Sequence, residues 1–125
     1  MGLANPSEFP DKASSWNEEF DRRRRADILR LLTDDVIAEH EANPLGYRHF
    51  HSWPLQRVLN YFRAQPVLGK YFVYASKPWH EYRIAVVVGR GEPAEILVEP
   101  VFATEEVAMH GVFMRSVEEL RARGD

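Results

Sequence analysis

The chain has no cysteine, so it can hold neither a disulfide framework nor a thiolate metal site. That composition fits a cytoplasmic protein, which is the expected location. No apolar run approaches the ~20 residues of a membrane span, and the first residues do not read as a charged-then-apolar leader. Neither sign of charge dominates: sixteen Lys and Arg against nineteen Asp and Glu leave a net charge of -3. Nothing global therefore favours nucleic acid or an anionic membrane as a partner. Repeats and low-complexity segments are missing too. Lysine is scarce, because thirteen of the sixteen basic residues are Arg, while fifteen residues are aromatic. Arg and aromatics are the types enriched in protein interfaces, where Lys is depleted. The bias points to a subunit of something larger.

What is present organises around Gln65 to Val88. Two runs there, Tyr71 to Ser76 and Tyr82 to Val88, are rich in aromatic and β-branched residues and predict an antiparallel hairpin. Pro78, in the connection, cannot donate to a ladder. Alternation puts Tyr71, Val73 and Ala75 on one face and Phe72 and Tyr74 on the other. In the second run Tyr82, Ile84, Val86 and Val88 share a face. Both faces are largely apolar, so a cover is expected on each side.

At 125 residues the chain reads as an extended arm over 1–13 followed by one domain over 14–125. Ser15 and Glu18 have capping-box spacing, which predicts a helix from Trp16 with an apolar stripe of Trp16, Phe20, Ile28, Leu31 and Leu32. Pairs Glu18–Arg22 and Glu19–Arg23 add support at i,i+4. Thr33 reads as a second cap, restarting or bending the helix toward Ala42, and Asn43 to Gly46 ends it. Ser52 caps a third helix, with Pro54 in its first turn and a stripe of Leu55, Val58, Leu59 and Phe62. After a turn at Gly89 to Pro93, a short edge strand is expected from Ile96 to Phe102, limited by Pro100. Thr104 caps the last helix, with a stripe of Met109, Phe113, Val117 and Leu120. The fold class is α+β: N-terminal helices, a small three-stranded antiparallel sheet and a C-terminal helix, with the sheet order left open.

Candidate sites are few. His49 and His51 invite a metal, but on a strand they point to opposite faces and on a helix they lie about 200° apart. Only a loop could bring them together, with His40 or Glu39 as a third ligand, and no zinc-type spacing marks such a site. Solvated or hydrogen-bonded loop histidines are the expectation. Arg22 to Arg25 cover the whole circumference of a helix among acids, so they form no basic face. Arg24 alone falls within the apolar stripe, and it is expected to form a buried or interfacial ion pair. The Gly89-Arg90-Gly91 run is too short for a phosphate loop. His110 reads as a partly buried, satisfied histidine. No Ser stands in a nucleophile elbow and no paired acids name a general acid and base. No catalytic residue and no metal ligand is assigned to this chain.

The runs Asn43 to Arg48, Leu55 to Arg63, Gln65-Pro66, Gly69 to Tyr71, Tyr82 to Ala85 and Phe102 to His110 resemble, in order, the small subunit of N,N-dimethylformamidase. The resemblance extends over about residues 16 to 123. The loop His49 to Ser52 and the turn at Gly89 depart from that pattern, which counts against a metal role for His49 and His51. What the resemblance implies is a hetero-oligomeric amidohydrolase that cleaves N-substituted formamides to formate and an amine. Its large catalytic subunit carries a mononuclear iron, and this chain carries no cofactor. Trp16, Arg24, Tyr47, Arg48, Trp53 and Trp79 are the candidates for the interface between the two. The alternative is a free-standing α+β module that binds a ligand or a protein and catalyses nothing. A metal-dependent enzyme acting alone is a third.

Overall fold

The computed structural model describes residues 8–123, with side chains of the first helix described from Glu18 onward. The order is α1 (Glu8–Leu31), α2 (Asp34–Ala42), α3 (Trp53–Arg63), β1 (Tyr71–Lys77), β2 (Glu81–Val86), β3 (Glu95–Ile96) and α4 (Glu105–Arg123). It is an α+β fold with helices first, a three-stranded antiparallel sheet, and a helix last.

Capping chemistry sets most of the boundaries. Thr33 accepts a bond from the backbone N–H of Val36 at 3.3 Å, so the chain stops at Leu31 and restarts as a separate helix. Ser52 does the same for Leu55 at 3.4 Å, and Thr104 for Val107 at 3.2 Å. The start of α1 corrects the sequence reading. The helix runs from Glu8, through the Ser15 capping box and part of the expected arm, with Pro10 tolerated in its first turn. Residues 1–7 of that arm lie outside the described residues.

The core lies among the helices. Ile28 and Leu32 of α1, Val36 of α2, Leu55, Val58 and Tyr61 of α3, and Phe113, Val117 and Leu120 of α4 form one buried cluster. Arg24 does not join it. Phe20 is 61% exposed, so the α1 stripe reaches the core only from Ile28 onward, and Arg24 is exposed beside Phe20. It is Arg25 that turns inward, half-buried, with a shielded Nε. The expected partner of Arg22 changes as well: Glu19, not Glu18, takes both Arg22 and Arg23.

The sheet order is β1-β2-β3, with both outer strands at edges. Register pairs Tyr71 with Val86, Val73 with Ile84 and Ala75 with Tyr82, which places these six on one face. That face lies against α4: Tyr82 and Ile84 are buried, and Tyr71 donates its hydroxyl to Glu119 on α4. Phe72, Tyr74, Arg83, Ala85 and Ile96 share the other face. The cover expected on this side is missing among the described residues: the first helix packs on α3 and α4, and α3 on α1 and α2.

The third strand is shorter than the sequence suggests. Only Glu95–Ile96 pair, Leu97 donates to Ile84 at 2.9 Å, and the chain then leaves the sheet. Arg83 takes the Val98 carbonyl, and Pro100 has no N–H to offer. A single bridge returns at Phe102, which exchanges two 2.8 Å bonds with Tyr82.

Candidate functional site

Two kinds of place could carry function: a histidine cluster inside the molecule, and aromatic surfaces outside it. The cluster sits where α2, α4 and the α2–α3 loop meet. Asn43 closes α2 and is buried, its amide donating to the His49 carbonyl at 2.9 Å and its oxygen accepting from the Arg48 N–H at 3.2 Å. His51 in turn bonds the Asn43 carbonyl through Nε2 at 2.8 Å. Glu39 receives the N–H and hydroxyl of Ser52 at 2.6 and 2.5 Å. Burial works to raise the Glu39 pKa, and the two Ser52 bonds together with the nearby His51 and His49 outweigh it, so the net shift is downward.

His40, buried on α2, faces His110 of α4 with Nδ1 to Nδ1 at 2.9 Å. Its ring stacks on Phe113 at 4.0 Å and lies 6.4 Å from His51. Burial, and then the nearby His110 and His51, push the His40 pKa down to about 3. Burial also lowers His110. Both rings are therefore neutral near pH 7, and one donates its Nδ1–H to the lone pair of the other. The sequence named His40, His49, His51 and Glu39 as a conceivable ligand set. The fold brings His40 and His51 near each other but leaves His49 exposed and Glu39 engaged by Ser52. His110, seventy residues from His40, is the actual neighbour, and no spacing in the sequence signals it. Among the described residues no three His, Asp or Glu groups converge on a metal position.

The proposed interface residues fall at separate places. Trp79 sits at the hairpin tip, 86% exposed, with φ +71. Tyr47 is exposed on the α2–α3 loop, beside Arg48, which reaches the Ala42 carbonyl and Glu106 of α4 at 3.3 Å. Trp53 opens α3, exposed, with the Arg57 guanidinium 5.3 Å above its ring. Arg24 lies 5.8 Å over Phe20 and 5.5 Å over Tyr61. Of Trp16 only the backbone, in α1, is described. The sequence reading missed Phe20, Arg57 and Tyr61 as parts of a surface. The signal was present: Phe20/Arg24 and Trp53/Arg57 are both aromatic–Arg pairs at i,i+4.

The sheet face away from α4 is the other exposed aromatic region. Phe72 and Tyr74 are 38% and 41% exposed there, and Ile96 and Val98 of the adjoining edge are exposed as well. One ion pair crosses it, Arg83 to Glu81 at 3.2 Å, with the Ser76 hydroxyl on Glu81 at 2.7 Å. The Ser76 bond, and after it Arg83, keeps Glu81 below the usual carboxylate range. No helix of the described residues is long and apolar enough to cross a membrane.

Fold and surfaces together define a small α+β chain with one helix-covered sheet face and one uncovered apolar face. The sequence profile of the family described as N,N-dimethylformamidase alpha subunit matches residues 15–125. Over 121 residues the chain is 46% identical to the N,N-dimethylformamidase alpha subunit of Paracoccus aminophilus, covering 95% of this chain and 85% of that one. It is 45% identical over 122 residues to the protein of the same name from an Alcaligenes species, covering 96% and 92%. The chain belongs to the N,N-dimethylformamidase alpha subunit family.

Proposed function

We propose that this chain is the small, non-catalytic subunit of an amidohydrolase that cleaves N-substituted formamides, dimethylformamide among them, to formate and an amine. It assembles in the cytoplasm with a large chain that carries the catalytic residues and a mononuclear iron. Its work is to stabilise and shape that chain. Membership of an alpha-subunit family supports the reading, since a subunit has a partner. The observation that carries it is the open sheet face, where Phe72, Tyr74, Ile96 and Val98 stay in water next to an unpaired edge. Contiguous apolar surface of this kind marks a partner site.

The side chains present do not fit an iron. His40 and His110 have turned their facing nitrogens to each other, His51 is tied to a backbone carbonyl, and no three such groups converge on one position among the described residues. No step of the hydrolysis is assigned to this chain. The test is size-exclusion chromatography with a formate-release assay on the chain alone and on the chain co-expressed with its large partner. The lone chain should self-associate and release no formate, and the pair should elute as one active, iron-containing assembly. Activity of the lone chain would overturn the accessory role. So would loss of iron from a folded assembly in which His40, His49, His51 or His110 has been changed to Ala.

A further inference from the structure

The outer face shared by α1 and α3 carries two arginines that lie on aromatic rings and have no carboxylate partner among the described residues. Phe20 and Arg24 stand one turn apart on α1, and Trp53 and Arg57 one turn apart on α3. Because the two helices pack together, Arg24 also crosses to α3 and lies over Tyr61 at 5.5 Å, with Phe20 at 5.8 Å. Arg57 rests on Trp53 at 5.3 Å. Ring faces attract the cations and restrict them, yet a guanidinium stacked on a ring still presents its N–H edge in the plane. A bidentate bond to a carboxylate is then formed at a reduced entropic cost.

Arg22, Arg23, Arg30, Arg48 and Arg83 each have a carboxylate partner. Arg24 and Arg57 have none among the described residues, as is also true of Arg25, Arg63, Arg90, Arg115, Arg121 and Arg123, and what sets the two apart is the ring on which each lies. They line one hollow with Asp27, Ile28, Asn60 and Tyr61, and its only acid, Asp27, is engaged by Arg30. The hollow measures about 140 Å³, well below the roughly 300–1,000 Å³ of a small-molecule site. It has room for a side chain. Glu18, Glu19, Asp21 and Asp27 stand on the same helix, so no basic track is available for a run of phosphates.

We propose that this face is a docking site for Asp or Glu side chains of the large chain, inserted against the guanidinium edges of Arg24 and Arg57. The inference rests on the subunit reading and adds a second, polar contact region to it. Charge complementarity selects the occupant: two stacked, acid-free arginines flanked by exposed Phe20 and Trp53 have the residue types that dominate binding energy at protein interfaces.

The experiment measures affinity of the purified large chain for this chain against salt concentration. Compared are the wild type, Arg24→Ala, Arg57→Ala, the double variant, Arg57→Lys, and Arg22→Ala as a control whose arginine already holds Glu19. Each single alanine variant should bind at least 10-fold more weakly, and the double variant should lose most of the salt dependence. Arg57→Lys, which keeps the charge and the fold but not the fork, should also weaken binding several-fold. Arg22→Ala should bind within 2-fold of wild type. A double variant that binds like wild type with the same salt dependence overturns the docking site while leaving the subunit reading intact. A wild-type chain that ignores the large chain at every salt concentration overturns both. Preferential binding of an RNA homopolymer through these two arginines overturns the choice of a carboxylate.

Discussion

Leu55, Val58 and Val117, where the helices meet, are wholly withdrawn from water, whereas Phe72 and Tyr74, on the far face of the same molecule's sheet, keep about two-fifths of their surface wet. Both groups come from segments of similar apolar density. The difference lies in neighbours. α4 has two buried flanks, one in the helical cluster and one on the sheet, while among the described residues no helix packs on the opposite sheet face. The two sheet edges differ in the same sense. β3 is two residues long, flanked by Pro93 and Pro100. β1 is seven residues long, without proline, and charged only at Lys77. Tyr82 and Ile84 aim their backbone groups at Phe102 and Leu97, so their register partners Ala75 and Val73 aim theirs away from β2, into solvent. Long, flat, uncharged edges promote pairing with other chains. The helical side holds the fold, and the sheet side is left available for contact.

The largest way to break this contrast is from the closed side. Leu55→Ala removes a side chain with no exposed surface from the centre of the cluster. It should cost about 2–5 kcal/mol in urea unfolding, the range for buried leucines. A cost under about 1 kcal/mol would mean that the helical cluster is not the stabilising core.

Gly111 tests the seam between helix and sheet. In an exposed helix Gly→Ala stabilises by about 1 kcal/mol. Here an added Cβ would meet the Phe102 ring at 2.6 Å, and Phe102 is bridged to Tyr82. Gly111→Ala should therefore destabilise, by about 1–3 kcal/mol as overpacking does, and the sign alone decides the matter in a thermal melt.

The histidine pair adds a pH dependence to the closed side. An unfolded His40 takes a proton as pH falls through 6.5, but the folded ring resists until about 3. Between those values the unfolded state binds more protons, so stability is complete above about pH 6.5 and declines as pH drops. The slope is about 1.4 kcal/mol per pH unit for one such group. His110 is lowered by its burial and adds in the same direction. Urea midpoints at pH 7 and pH 5 should differ accordingly, and His40→Leu should remove most of the difference.

Much of this was legible because it is local. Caps at Thr33, Ser52 and Thr104 need only a side chain and an N–H three residues on, and the two faces of the hairpin follow from alternation. What depended on distant neighbours was not. The Ser15 box was overrun because nothing nearby stops a helix that begins at Glu8. The apolar run from Ile96 to Phe102 reads as a strand until Arg83 captures the Val98 carbonyl. Reading Arg24 into the stripe requires a buried Phe20, and Phe20 is 61% exposed. Breaking a buried ion pair costs about 3–5 kcal/mol, but Arg24→Ala in the isolated chain should cost about 0.5–1 kcal/mol, the range for exposed cation–ring contacts. The His40–His110 contact joins α2 to α4 across the whole hairpin, beyond any motif.

The sharpest test is of the open face. Phe72→Ser with Tyr74→Ser removes two rings whose outer portions are already in water and whose inner portions flank Ala85 and Arg83. Serine retains the strand's alternation, and the α4 face beneath is untouched, so the isolated chain should lose clearly less stability than with Leu55→Ala, because part of each ring is already in water. If the face served only the fold, the double variant would unfold like Leu55→Ala and behave no better in solution. If the face awaits another chain, the variant should stay folded, shift from aggregate toward monomer on a sizing column, and bind the large chain at least 10-fold more weakly. A folded, monomeric variant that still binds at full strength would move the contact elsewhere, to the arginines of α1 and α3 or to the edge of β1.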